Sequence, residues 1–307
     1  MIDPMHDAPG STDAPGSTAP GSTGTPGDTA PGDFEAATAV TPLGDGRYAA
    51  EVVDGWDILG NANGGYLMAI AGRALCAVAD RPDPISVTAH YLSPGRPGPL
   101  TIDTSVVRSG RRFTTANATL RTADGSPVIT TLAMCGDLGE PDPAATLLVD
   151  GAPPELPAPE DCHQVVPDGI FPPPFFGHVQ LALHPDDARF AVGERSGTPL
   201  LRGWFRLPDD QPLTTFALLT AVDAFPPTIF NVDIPIGWVP TLELTAHIRA
   251  RPAPGWLACE VRTRFIADGF LEVDSHIWDG TGRLVAQARQ LALVPRVDEE
   301  LPQPDGR

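Results

Sequence analysis

The chain has 307 residues, a formal net charge of −19 and no lysine, so its 20 basic residues are all arginine. Such an acidic surplus repels phosphate backbones and anionic lipid, which argues against nucleic acid or a membrane surface as a partner. Four scattered cysteines (Cys76, Cys135, Cys162, Cys259) form no Cys-x-x-Cys pair, so neither a disulfide frame nor a zinc site is expected.

Residues 1–33 repeat Ala-Pro-Gly-Ser-Thr at 8–12, 14–18 and 19–23. Repeated Pro-Gly without large apolar side chains cannot offset the entropy of ordering, so a disordered tail is expected there. It shows no charged n-region ahead of an apolar core, and the longest mostly apolar stretch, 66–79, is interrupted by Arg73. That is neither a secretory signal nor a membrane span, so a soluble, cytoplasmic protein is expected.

From Phe34 the pattern becomes globular. Strands are predicted over 37–43 and 47–53 around Gly44-Asp45-Gly46. Leu67, Ile70, Ala71, Ala74, Leu75 and Val78 then recur at helical spacing, behind Asn61 or Asn63 as a helix cap. Strands follow at 85–93, 99–109, 112–122 and 127–137. Residues 138–172, rich in Pro, Asp and Glu, read as a linker. A second series has strands at 174–183 and 199–207, a helix at 213–225, and strands at 239–251, 256–267, 269–279 and 283–294; residues 296–307 form a polar tail.

The organising feature is an internal repeat. Thr88-Ala89-His90 and Thr245-Ala246-His247 are identical, 157 residues apart. The same offset aligns Pro97 with Pro254, Gly98 with Gly255, Phe113 with Phe270, and Gly125 with Gly282. Each half therefore carries two strands, one buried helix and four strands, with one half at 34–137 and the other at 173–295. Periodicity predicts an α+β protein in which a helix lies on an antiparallel sheet, twice.

Local stretches carry a resemblance. They are Asn63-Gly64-Gly65-Tyr66-Leu67, the Thr-Ala-His-Tyr-Leu strand, Leu201-Arg202-Gly203-Trp204, Ala221-Val222-Asp223-Ala224, Val239-Pro240-Thr241-Leu242, and Gly282 through Gln290. In this order they resemble the acyl-CoA thioesterase II group, which implies a double hotdog: two fused domains, each a long helix wrapped by a curved antiparallel sheet. The resemblance further implies an acyl-CoA substrate, no cofactor, no metal, and a homo-oligomer. It implies that Asp223, Thr241 and Gln290 hold the water that attacks the thioester. Relatives often have His-Gly-Gly or Phe-Gly-Gly where this chain has Asn63-Gly64-Gly65.

The residues themselves give partial support. Asp223 falls in an apolar helical run, near the negative end of a helix dipole, where local electrostatics oppose it. Gln290 is the one polar side chain on a face otherwise made of Leu284, Ala286, Ala288, Ala292 and Val294. Thr241 is an ordinary strand residue. His90 and His247 occur in both halves and read as sheet residues. Under the 157-residue offset Asp223 faces Tyr66, Thr241 faces Pro84 and Gln290 faces Ala133, so one site in the second half is expected. Backbone N–H groups near Gly64 and Gly65 are candidates for oxyanion stabilisation. Arg108, Arg111 and Arg112 form the densest basic cluster, with guanidinium forks suited to coenzyme A phosphates or to surface carboxylates. No Gly-x-Ser-x-Gly, P-loop or His-Glu-x-x-His occurs. The alternatives are a non-catalytic acyl-binding hotdog protein and a hotdog hydratase.

Overall fold

The computed structural model describes residues 34–140, 150–168 and 171–295. The tail over 1–33, the polar segment 296–307 and parts of the linker lie outside the described residues. A helical turn α1 (Phe34–Ala37) precedes β1 (Thr41–Gly44), β2 (Arg47–Val52), β3 (Asp57–Ile58), β4 (Asn61–Ala62) and α2 (Gly64–Ala79). Next come β5 (Asp83–Tyr91), β6 (Gly98–Ser109), β7 (Thr114–Thr122) and β8 (Pro127–Gly136). The second half holds β9 (His163–Val165), β10 (Gln180–Leu183), β11 (Leu200–Arg206), α3 (Thr215–Ala221), β12 (Thr241–Ile248), β13 (Leu257–Arg262), β14 (Ile266–Ala267), β15 (Phe270–Trp278) and β16 (Leu284–Leu293).

Fourteen strands make one antiparallel sheet in the order β1-β2-β6-β7-β8-β5-β12-β16-β15-β13-β11-β10-β9, with β14 paired to β15. The halves meet where β5 pairs with β12, and there the repeat acts on itself. Thr88 stands opposite Thr245, and Val87 opposite Ala246. The hydroxyls of Thr88 and Thr245 hydrogen-bond at 2.9 Å across this local two-fold. His90 instead faces Glu243 and His247 faces Ser86 on the exposed side of the sheet, away from each other. Each half-sheet wraps its own helix, which is the double-hotdog arrangement.

Twelve of the sixteen residues of α2 are buried, among them Tyr66, Leu67, Met68, Ile70 and Leu75. A helix this apolar on most sides belongs in a core, and each such large side chain contributes about 1.5–3 kcal/mol by burial. Tyr66, expected as the plain counterpart of Asp223, is a structural tie. Its hydroxyl donates to Ala37 O at 2.7 Å and accepts from Val53 N at 3.1 Å, fixing α2 to the end of α1 and the residue after β2. Tyr66→Phe strands that N–H and carbonyl, so urea unfolding should show a loss of about 1–3 kcal/mol. A wild-type midpoint would contradict this tie.

The strands β5 to β8 and β12 to β16 match expectation closely, because the repeat holds there without a gap: β16 is β8 displaced by 157 positions at both ends. The helices do not share it. α2 starts at 64 and α3 at 215, so the offset is 151, and Asp223 is not the structural partner of Tyr66. The helix predicted over 213–225 spans only Thr215–Ala221. Pro226-Pro227 disfavours the α conformation at Phe225 and Pro226, and Asp223 falls in the turn just beyond the helix. The strand predicted over 174–183 is confined to Gln180–Leu183, since the prolines at 172–174 carry no N–H for a ladder. Within the segment read as a linker, His163–Val165 forms a strand on the sheet edge, paired with β10.

Candidate active site

The three C-terminal candidates come from three elements and meet at one point. Asp223 follows the C-cap of α3 and turns its carboxylate toward the N-terminus of α2. Gly65 N–H donates to Asp223 Oδ2 at 2.8 Å. Asn63 Oδ1 caps α2 by accepting from Tyr66 N at 2.9 Å, while Asn63 Nδ2 donates to Asp223 O at 2.9 Å. Gln290 Nε2 lies 3.4 Å from Asp223 Oδ1 and also donates to Thr241 Oγ1. A register slip between Thr241 and Glu243 in the β12–β16 ladder sets the threonine on the face of Gln290.

This geometry offsets the unfavourable dipole at Asp223. A carboxylate opposed by the end of its own helix sits instead at the positive end of the other half's helix. Burial still dominates, and it pushes the Asp223 carboxyl up to about 7, with the Gly65 and Gly64 N–H groups pulling the other way. A base with that affinity is half ionised near neutral pH, where proton transfer is most effective.

The helix-start N–H groups expected for an oxyanion face the Asp223 carboxylate. The N–H groups of Gly64 and Gly65 donate to the Asp223 carboxylate and fix its position. The glycines are needed for closeness. A Cβ on Gly65 would stand 2.7 Å from Leu219 O and 2.9 Å from both Thr220 O and Asp223 Cβ. Backbone cannot yield as a flexible side chain can. Gly65→Ala should therefore lower stability by about 1–3 kcal/mol and shift the Asp223 pH limb, read by thermal melts and a pH–rate profile. An unchanged melt and limb would show that α2 and α3 separate freely.

The triad opens on a cavity of about 340 Å³. Its walls are largely apolar, with Leu67, Phe176, Phe225, Phe230, Trp238 and Val239, and Tyr91 stands beside Asp223 at the polar end. Among the described residues no histidine and no arginine lines it. Arg108, Arg111 and Arg112 are elsewhere, exposed on the β6–β7 hairpin. Arg112 lies over the Phe113 ring at 5.4 Å, and Arg111 O accepts from Arg81. The fold thus brings together Asp223, Thr241, Gln290, Gly64 and Gly65, and leaves the arginine cluster outside. Two residues were missed. The sequence marks Asn63 as a cap and a departure from the relatives' motif, and it signals Tyr91 through the repeat: the motif Thr-Ala-His is followed by Tyr91 in one half and Ile248 in the other. Among the described residues no cluster suits a metal ion, and no helix is long and apolar enough to cross a membrane.

Comparison with known proteins gives the chain's family and fold. Residues 52–136 match the acyl-CoA thioesterase N-terminal domain and residues 151–294 the acyl-CoA thioesterase C-terminal domain. The chain belongs to the acyl-CoA thioesterase family, as a double hotdog. The uncharacterized protein Rv0499 of Mycobacterium tuberculosis is 32% identical over 85% of this chain and 98% of its own. A crystal structure from Thermobifida fusca YX, whose thioesterase II assignment is itself provisional, has a TM-score of 0.76 at 35% identity. It covers 86% of this chain and 98% of that one. A hot dog fold protein of unknown function from Alicyclobacillus acidocaldarius has a TM-score of 0.73 at 22% identity, over 86% of this chain and 98% of its own, a likeness of fold.

Proposed function

We propose that this protein hydrolyses a fatty acyl-CoA to the free acid and coenzyme A through a water held by Asp223, Thr241 and Gln290. The observation that carries the reading is a carboxyl pushed up to about 7, hydrogen-bonded into a Gln–Thr pair at the end of an apolar cavity. The apolar walls suit an acyl chain. Asp223 takes a proton from the water as its oxygen attacks the thioester carbon, the C–S bond breaks, and the thiolate leaves with that proton. Thr241 and Gln290 fix the water and the carboxylate against each other. A hydratase using histidine is disfavoured, since no histidine among the described residues lines the cavity.

The test is thiol release from a panel of acyl-CoA esters, with an enoyl-CoA included and followed for hydration. Hydrolysis of at least one ester with multiple turnovers is expected. Binding without thiol release would move the protein to the non-catalytic class, and hydration of the enoyl ester would make it a hydratase.

A further inference from the structure

Thioester hydrolysis needs two services, a base for the water and a hydrogen-bond donor for the carbonyl oxygen as it becomes an oxyanion. The donors around Asp223 are nearly all committed. Gly65 N–H and Asn63 Nδ2 are given to Asp223. Gln290 Nε2 serves Asp223 and Thr241, and Ser275 Oγ donates to Val222 O at 3.0 Å.

Tyr91 is different. It ends β5 in the first half, lines the cavity, and donates its hydroxyl to Gly64 O at 2.9 Å. Gly64 opens α2, so its carbonyl also serves the helix ladder, and losing the phenol would not leave it without a partner. A Cβ on Gly64 would lie 2.8 Å from Asp223 Oδ2 and 2.9 Å from Tyr91 Oη, so the two oxygens flank one face of the same glycine. Burial and the nearby Asp223 and Glu243 carboxylates keep the phenol protonated well above its ordinary range, as a donor must be. The fold does not demand a phenol here. The repeat-related position holds Ile248, buried in the second half.

We infer that Tyr91 is a catalytic residue whose O–H turns from Gly64 O to the thioester carbonyl oxygen and stabilises the tetrahedral oxyanion. No proton leaves the phenol. Water oxygen bonds to carbon, its proton passes to Asp223, the carbonyl electron pair moves onto the oxygen facing Tyr91, and that pair returns as the C–S bond breaks. The inference rests on the hydrolase reading and completes it: the first half supplies the donor and the second half the base.

The experiment compares wild type with Tyr91→Phe on the acyl-CoA that wild type hydrolyses fastest. Affinity for an S-alkyl-CoA thioether, which has no carbonyl, is measured alongside. The expected result is a fall in kcat of about 10²–10³-fold, the scale of losing one oxyanion donor. The thioether Kd and the acidic pH limb set by Asp223 stay at wild-type values. If Tyr91→Phe does not fold, Tyr91→Ile takes its place, carrying the residue of the related position. A kcat near wild type overturns the inference. So does a parallel loss of kcat, thioether affinity and melting temperature, which would make Tyr91 a prop for α2. A wild type that releases no thiol from any ester removes the hydrolase reading and this one together. An active wild type indifferent to Tyr91→Phe removes this one alone.

Discussion

Asp223→Asn should lower kcat by two or more orders of magnitude with KM little changed, while making the protein more stable at neutral pH. The amide keeps the shape and still accepts from Gly65 N–H, so the site stays assembled, but the proton acceptor is gone. The stability change follows from the same burial that tunes the base. An unfolded aspartate titrates near 3.9, and Asp223 in the fold near 7, so folding takes up a proton between these values. A carboxyl with a raised folded value leaves stability intact below about pH 4, and stability is lost as pH rises through 7. The Asn variant carries no such loss. Its melting temperature should match wild type at pH 4 and exceed it increasingly up to pH 8. Full activity in the variant would end the assignment of Asp223 as base, and a melting difference that does not grow with pH would show that its carboxyl is not desolvated.

Arg251→Met should cost about 3 kcal/mol and loosen the junction of the two halves. Asp83, at the start of β5, is 2% exposed, and Arg251, just beyond β12, reaches it at 2.7 Å. Thr215 Oγ1 and Leu138 N–H also donate to this carboxylate, at 3.1 and 3.0 Å, so the start of α3 hangs on the same anion. Removing the arginine leaves a charge in the interior with only neutral donors. The loss is put at the lower end of the buried-pair range because the Arg251 side chain is 41% exposed and also touches Asp137. Urea unfolding measures it. A change under about 1 kcal/mol would rank the contact with ordinary surface pairs.

Much of this architecture was legible in the chain because a duplicated pattern is its own control. Every strand from 85 to 137 has a copy 157 residues on, and the copies fixed both sets of boundaries within a few residues. Helix length was not legible. α3 carries the same apolar run expected of a long helix, yet Pro226-Pro227 and the turn at Asp223 end it early, and an ungapped offset has no means of registering the difference. In the site, Gln290 stood out as the one amide on an apolar face and Thr241 only by resemblance. Asp223 was singled out for an unfavourable dipole, but its compensation comes from a helix 158 positions away in sequence, beyond the reach of local reasoning. The place of the arginine cluster, outside the cavity, was not legible for the converse reason. Charge density along a hairpin says nothing about which face of the molecule the hairpin adorns.

The pairing of β5 with β12 has a consequence at the ribosome. In the finished sheet these strands sit near its middle, with no edge between the halves. During synthesis β5 is complete about 150 residues before β12 begins. At about 5–20 residues per second, that interval is roughly 8–30 s. Through it the first half can close around α2 while one row of N–H and C=O groups on β5 stays open, the kind of edge that recruits strands from other chains. The exposed period in this protein's life is therefore its own translation, and a chain terminated anywhere before Thr241 would carry that open edge for good.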